Sequence, residues 1–173
     1  MIRSLDGKTP RIDETAFISE AAYIIGDVEI GPHASVWPGA VIRADSGKIT
    51  IGAYTNIQDN SVLHADADAW IGERVTIGHN VVCHAWKIGD GCLLGNGCVL
   101  NDGAEIGEGS LVAANSTVVE EMEVPANSLV VGSPARVRGE VQDRHRQRMK
   151  SANDHYVNAI PRYKASGGLE SGS

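Results

Sequence analysis

Aromatic side chains are scarce in this sequence: eight rings among 173 residues, only one of them a phenylalanine. A core can form at this length, but it has to be aliphatic. Cysteine is scarcer still, with Cys83, Cys92 and Cys98 alone. A count so low and odd argues against a disulfide scaffold and suits a reducing compartment. No run approaches the roughly 18–20 apolar residues of a membrane helix. The opening MIRSLDGKTPRIDE lacks the apolar stretch of a signal peptide. Positive charge is outnumbered, with 15 Lys and Arg against 22 Asp and Glu, for a formal net charge of −7. That argues against a nucleic-acid binder and against docking on an anionic membrane. A soluble cytoplasmic protein is the expectation. Glycine is abundant, 20 in all, but scattered, so collagen-like and low-complexity readings fail.

What is present is a repeat. Aliphatic residues recur every six positions, as in Ile18, Ile24, Ile30, Val36 and Ile42, and again from Ile88 through Leu94, Leu100, Ile106, Val112, Val118 and Val124 to Val130. Two residues before each aliphatic the side chain is usually small, as at Ala34, Ala40, Cys92, Cys98 and Ser110. A period of six fits a solenoid in which each hexapeptide makes one short strand and one corner. Three hexapeptides close a triangular coil, and coils stack at the strand spacing of about 4.8 Å. About nineteen hexapeptides give roughly six coils. The predicted fold is an all-β solenoid, a parallel β-helix with a C-terminal α-helix. The expected organisation is an N-terminal segment at 1–11, the β-helix over 12–133, the C-terminal helix over 134–163 and a disordered tail at 164–173. Val137, Val141, Met149, Ala152, Tyr156 and Ile160 make the helix amphipathic, and Pro161 reads as its stop.

The period slips three times. Ile42 to Ile51 is nine residues, Leu63 to Ile71 is eight, and Cys83 to Ile88 is five. Counting hexapeptides across the slips stacks Ile42, Leu63 and Cys83 in one column. The next residues, Arg43, His64 and His84, then point outward in successive coils. Two imidazoles about 5 Å apart at their backbones suit one metal ion. His79 lies a corner away within one chain and reaches the same ion more naturally from a neighbouring protomer, which a trimer would satisfy. Gln58, Asp59, Arg43 and Asp45 read as groups that orient ligands or substrate, or as intersubunit ion pairs. Cys92 and Cys98 fill small inward slots and Cys83 an aliphatic one, so all three read as core thiols.

The segments RADSGKITIGAYTNIQDNSVLHAD, TIGHNVVCHAWKIGDGCLLGNGCVLNDGAEIGEGSLVAANSTVV and GSPARV resemble the γ-class carbonic anhydrase-like proteins. The resemblance implies a left-handed β-helix, assembled as a homotrimer with zinc, iron or cobalt between protomers. It implies that His64 and His84 of one protomer, with His79 of the next, bind the metal. It further implies that Arg43 and Asp59 hold the interface, that Gln58 and Asp45 orient the metal-bound water, and that Tyr156 approaches from the helix. The activity it implies is reversible hydration of CO₂ to bicarbonate by hydroxide generated on the ion. Competing readings are a hexapeptide acyltransferase with one histidine as base, an acyl-CoA thioesterase that keeps the metal, and a non-enzymatic trimeric scaffold fastened by structural zinc.

Overall fold

In the computed structural model, which describes residues 1–166, the repeat winds into a solenoid of short parallel strands. Its interior is three columns of aliphatic side chains, one per face. The first face stacks Ile24, Ile42, Leu63, Cys83, Leu100 and Val118. The second stacks Ile12, Ile30, Ile51, Ile71, Ile88, Ile106 and Val124. The third stacks Ile18, Val36, Ile57, Ile77, Leu94, Val112 and Val130. The fold is a left-handed β-helix of about seven turns, one more than the six counted from the sequence. The extra level comes from the N-terminal segment. Ile2 pairs with Ile24 and Arg11 with Glu29, so residues of the 1–11 segment expected to precede the solenoid lie on its first strands.

The small residues of the hexapeptides sit inside the corners, where a larger side chain would not fit. Ala34, Ala40, Cys98, Ala104 and Ser110 are each 0% exposed. Where the small residue is hydroxylated, it bonds to the next coil. Ser61 Oγ donates to the Gly78 carbonyl at 2.6 Å and accepts from the Val81 N–H at 3.0 Å. Thr55 does the same with Gly72 and Val75. These buried polar groups are therefore satisfied and link successive coils.

The C-terminal region departs from the expectation in two ways. Residues Ala135–Glu140 form a strand antiparallel to Ser128–Gly132, so they are not helical. The helix α1 runs Asp143–Ala165. The strand wins because the chain reverses after Gly132 and finds an unpaired sheet edge, which satisfies its backbone groups. Nor does Pro161 end the helix, which includes it. The last turn is held from outside: Lys164 Nζ donates to the carbonyls of Glu14 and Ala16, and Tyr163 packs on Phe17 and Trp37. Tyr156 meets Trp37 edge-on at 5.0 Å, so four of the scarce aromatics fasten α1 along the solenoid. Between Val141 and Met149 the apolar stripe is interrupted at His145, whose Nδ1 accepts the Gln142 N–H at the helix start. Of the expected tail at 164–173, Lys164 and Ala165 are helical and residues 167–173 lie outside the described residues. No helix among the described residues is long and apolar enough to cross a membrane.

Ile77 is fully buried between Ile57 and Leu94, so Ile77→Ala should cost about 2–5 kcal/mol of stability. Urea unfolding checks it through a lower midpoint at unchanged slope. All three thiols are buried, and burial pushes Cys83 up to about 11 and Cys92 and Cys98 up to about 12. A raised folded pKa means that the protonated thiols favour the native state. That contribution is complete below the ordinary value of 9.0 and is lost as pH rises from there toward 11. A thiol reagent at pH 8 should therefore label none of the three until denaturant is added, and the unfolding temperature should fall above pH 9.

Candidate metal centre

The three slips of register fall on one corner, where the first face turns into the second. The longest of them lies within the strand Val41–Ile51, which bends through the corner. The column count holds: Arg43 pairs with His64 across adjacent coils, and Leu63 stacks under Cys83. His64 and His84 consequently stack outside the barrel with ring centroids 4.9 Å apart at 76°.

Each of these imidazoles is held by an aspartate. His64 Nε2 lies 2.8 Å from Asp45 Oδ1, and His84 Nδ1 lies 2.9 Å from Asp102 Oδ1. An ionised carboxylate only accepts, so the facing ring nitrogen carries the proton and donates. Asp45 also forms an ion pair with Arg43. Burial pushes the Asp45 carboxyl up, but the hydrogen bonds from His64 and Arg43 outweigh it and hold the group below the usual carboxylate range. His64 is 8% exposed, and its other nitrogen, Nδ1, is buried with no hydrogen-bond partner. Asp66, 71% exposed at its side chain, stands 4.0 Å from His64 Nε2.

A second group gathers at the corner where the third face turns into the first. There Asp59 and His79 stack in successive coils, each followed by an asparagine in the left-handed region, Asn60 at φ 60° and Asn80 at φ 57°. His79 Nδ1 lies 3.0 Å from Asp59 Oδ2, and its Nε2 lies 3.4 Å from the Tyr156 hydroxyl. Burial, with the Asp59 charge next, raises the Tyr156 pKa, so its phenol stays protonated at neutral pH. Gln58 is 5% exposed, and its Nε2 donates to Asn56 Oδ1 at 3.0 Å. Gln58, His79 and Tyr156 line one end of a groove of about 510 Å³ between α1 and the third face.

The eight sequence-predicted site residues thus form two sets at opposite ends of the first face. Arg43, Asp45, His64 and His84 share one corner, and Gln58, Asp59, His79 and Tyr156 share the other. Among the described residues of one chain, no group of three or more His, Cys, Asp or Glu converges to hold a metal ion. The donor chemistry of the first corner nonetheless fits one. Two neighbouring imidazoles, each fixed by a carboxylate, suit zinc, cobalt or iron. The unpartnered His64 Nδ1 is a lone pair that protein groups leave unused. Sequence reasoning missed Asp102, Asn56 and Asn96, whose Oδ1 accepts the His79 N–H at 3.1 Å. Carrying the column count one coil past Cys83 reaches Leu100, and with it Asn101 and Asp102.

Residues 87–119 match the family described as bacterial transferase hexapeptide (six repeats), and residues 69–101 match the hexapeptide repeat of succinyl-transferase. The chain is 44% identical over 162 residues to the "Probable carbonic anhydrase" of Methanocaldococcus jannaschii, covering 92% of this chain and 98% of that protein. It is 33% identical over 159 residues to "Gamma carbonic anhydrase 2, mitochondrial" of Arabidopsis thaliana, of whose length it spans 57%. The chain belongs to the γ-class carbonic anhydrase-like family. The backbone of this γ-class member also superposes on a solved structure, the hexapeptide transferase family protein from Anaplasma phagocytophilum. The TM-score is 0.89 at 36% identity, covering 94% of this chain and 97% of that one.

His64 is the most exacting position of the first corner, because an unsatisfied buried nitrogen costs about 1–3 kcal/mol. His64→Leu removes the unpartnered nitrogen and the hydrogen bond to Asp45 together, so the two changes offset: it should abolish zinc binding while shifting the stability of the chelator-treated protein by no more than about 1 kcal/mol. Thermal unfolding in chelator and a zinc titration check the two halves separately.

Proposed function

We propose that this chain is a metal-dependent enzyme of carbonic anhydrase type, interconverting CO₂ and bicarbonate at a site completed between protomers of a homotrimer. The observation that carries this reading is the split of the site residues. One corner offers two carboxylate-held imidazoles, and the other offers a third imidazole with the buried amide Gln58 and the phenol Tyr156. Neither set suffices alone, and a threefold arrangement would set one corner of each protomer against the other corner of the next. In that arrangement His64, His84 and His79 of the partner subunit hold the ion, with zinc, iron and cobalt all compatible. When bound, the ion lowers the pKa of water toward 7 and so supplies hydroxide at neutral pH.

The chain's own residues do the rest. Gln58, pinned through Nε2 by Asn56, keeps its Oε1 free to accept a hydrogen bond from water and orient it. Asp45 stays ionised between Arg43 and His64 and keeps the His64 ring in one orientation. Asp59 does the same for His79. Arg43 and Asp59, opposite in charge and at opposite corners, are the pair that would meet across the protomer boundary. Tyr156 keeps its proton and acts as a hydrogen-bond donor. The proton released by hydration needs an exposed acceptor, and Asp66 is the exposed carboxylate nearest His64. The buried, unpaired thiols and the net charge of −7 suit a cytoplasmic setting without nucleic-acid or membrane partners.

A second reading, an acyl-group transferase or acyl-CoA thioesterase, has one observation in its favour: the groove of about 510 Å³ beside His79 is far larger than CO₂ needs. Zinc content and stopped-flow CO₂ hydration separate the readings. One metal per chain in the wild type, lost together with hydration in His84→Ala, is the expected result. Metal without hydration points to thioester substrates or a structural zinc, and no metal at all sinks the enzyme proposed here. The shared site has its own test. His84→Ala and His79→Ala chains, each inactive alone, should regain about one quarter of the wild-type metal when co-assembled, the value for random mixing of protomers. No recovery means that the three histidines do not meet between chains.

A further inference from the structure

Asp102 has no place in the function just described, yet its backbone is fixed more firmly than an incidental surface carboxylate requires. It lies in a tight turn, Asn101 to Ala104, closed by the Ala104 N–H donating to the Asn101 carbonyl at 3.2 Å. Gly103 occupies the third position of that turn at φ 71°, in the left-handed region that glycine enters without strain. The Asp102 carbonyl accepts the Glu121 N–H of the next coil at 2.9 Å. The preceding residue, Asn101, shares the outward column of Arg43, His64 and His84, but its side chain is taken by the Val118 carbonyl. The turn therefore brings Asp102 Oδ1 back to 2.9 Å from His84 Nδ1, while the His84 N–H donates to Leu100 and fixes the backbone between them.

We infer that Asp102 is the positioning residue of His84: by accepting the Nδ1 proton it selects one ring tautomer and leaves Nε2 bare, as a ligand. The inference rests on the metal-site reading for its purpose, but not for its mechanism. The hydrogen bond orders the ring before any ion arrives, so the ion need not select among rotamers and tautomers. His64 and His79 carry the same device through Asp45 and Asp59. With Asp102 included, every histidine assigned to the metal has a carboxylate of its own, each from an adjacent coil. A carboxylate that is 51% exposed contributes little stability from a surface pair alone, so its value lies in what it does to the ring.

The test uses the full-length, metal-free protein labelled with ¹⁵N histidine, at a pH where the imidazoles are neutral. In the wild type, His84 should show a protonated Nδ1 and a bare Nε2 in long-range ¹H–¹⁵N spectra. In Asp102→Ala this preference should be lost, and in Asp102→Glu it should return. Zinc affinity, measured by competition with a chelator, should fall by about 10–100-fold in Asp102→Ala and recover in Asp102→Glu. A His84 that keeps its tautomer in Asp102→Ala overturns the inference, and so does an unchanged zinc affinity. A wild type that binds no zinc would overturn the metal site instead, and the tautomer measurement would then decide the role of Asp102 alone.

Discussion

Adjacent coils of this solenoid are hydrogen-bonded to one another in register along their aliphatic columns, and the chemistry on its surface inherits that register. Parallel pairing puts Ile42, Leu63 and Cys83 over one another in the core. Because side chains alternate across a strand, whatever follows each of those residues must stack on the outside. The inner columns thus act as a ruler for the outer ones. The core needs only aliphatic side chains of similar size at fixed intervals, which leaves the outward positions free to vary. A pair of imidazoles 4.9 Å apart is what this lattice produces when two successive coils carry histidine at the same outward position.

The corners are where the ruler allows insertions. A strand cannot gain one residue without turning its whole inner face outward, whereas a corner absorbs extra residues outside the ladder. All three slips lie on the corner that carries Arg43, Asp45, His64 and His84. The excursion through Asp45 is long enough to bring its carboxylate back onto His64, one coil on. The opposite corner keeps the period and is built differently. There a left-handed residue turns the chain in five successive coils, Gly39, Asn60, Asn80, Gly97 and Asn115, and α1 closes over the face with Tyr156 reaching His79.

Electrostatics follows the same geometry. Each imidazole is ordered by an aspartate on a neighbouring coil, so ring orientation is set by inter-coil spacing and not by flexible loops. The two imidazoles at the first corner keep different nitrogens clear of their aspartates, because His64 gives its Nε2 to Asp45 and His84 gives its Nδ1 to Asp102. One of these two, the buried His64 Nδ1, is left without a partner inside the chain. Keeping an unsatisfied polar atom at an otherwise well-bonded core boundary is a cost that makes sense where a ligand supplies the missing interaction.

The sequence alone suffices to predict the solenoid and the His64–His84 column, because both follow from counting sixes along a periodic lattice. It did not reveal the seventh coil. Ile2 belongs to no run of sixes and joins the sheet only by pairing with Ile24. It misread 134–142, where helix-forming composition lost to an open sheet edge that only the finished solenoid offers. It overvalued Pro161, whose missing N–H is outweighed by the aromatic cluster and the Lys164 contacts holding the last helical turn. Asp102 went unseen because it sits in an unbroken hexapeptide, and its hydrogen bond depends on a turn geometry that periodicity does not encode. Local spacing fixes which residues stack. Which way a ring faces, which edge a strand finds and which corner a side chain reaches depend on contacts distant in sequence, and those exist only once the coils are assembled.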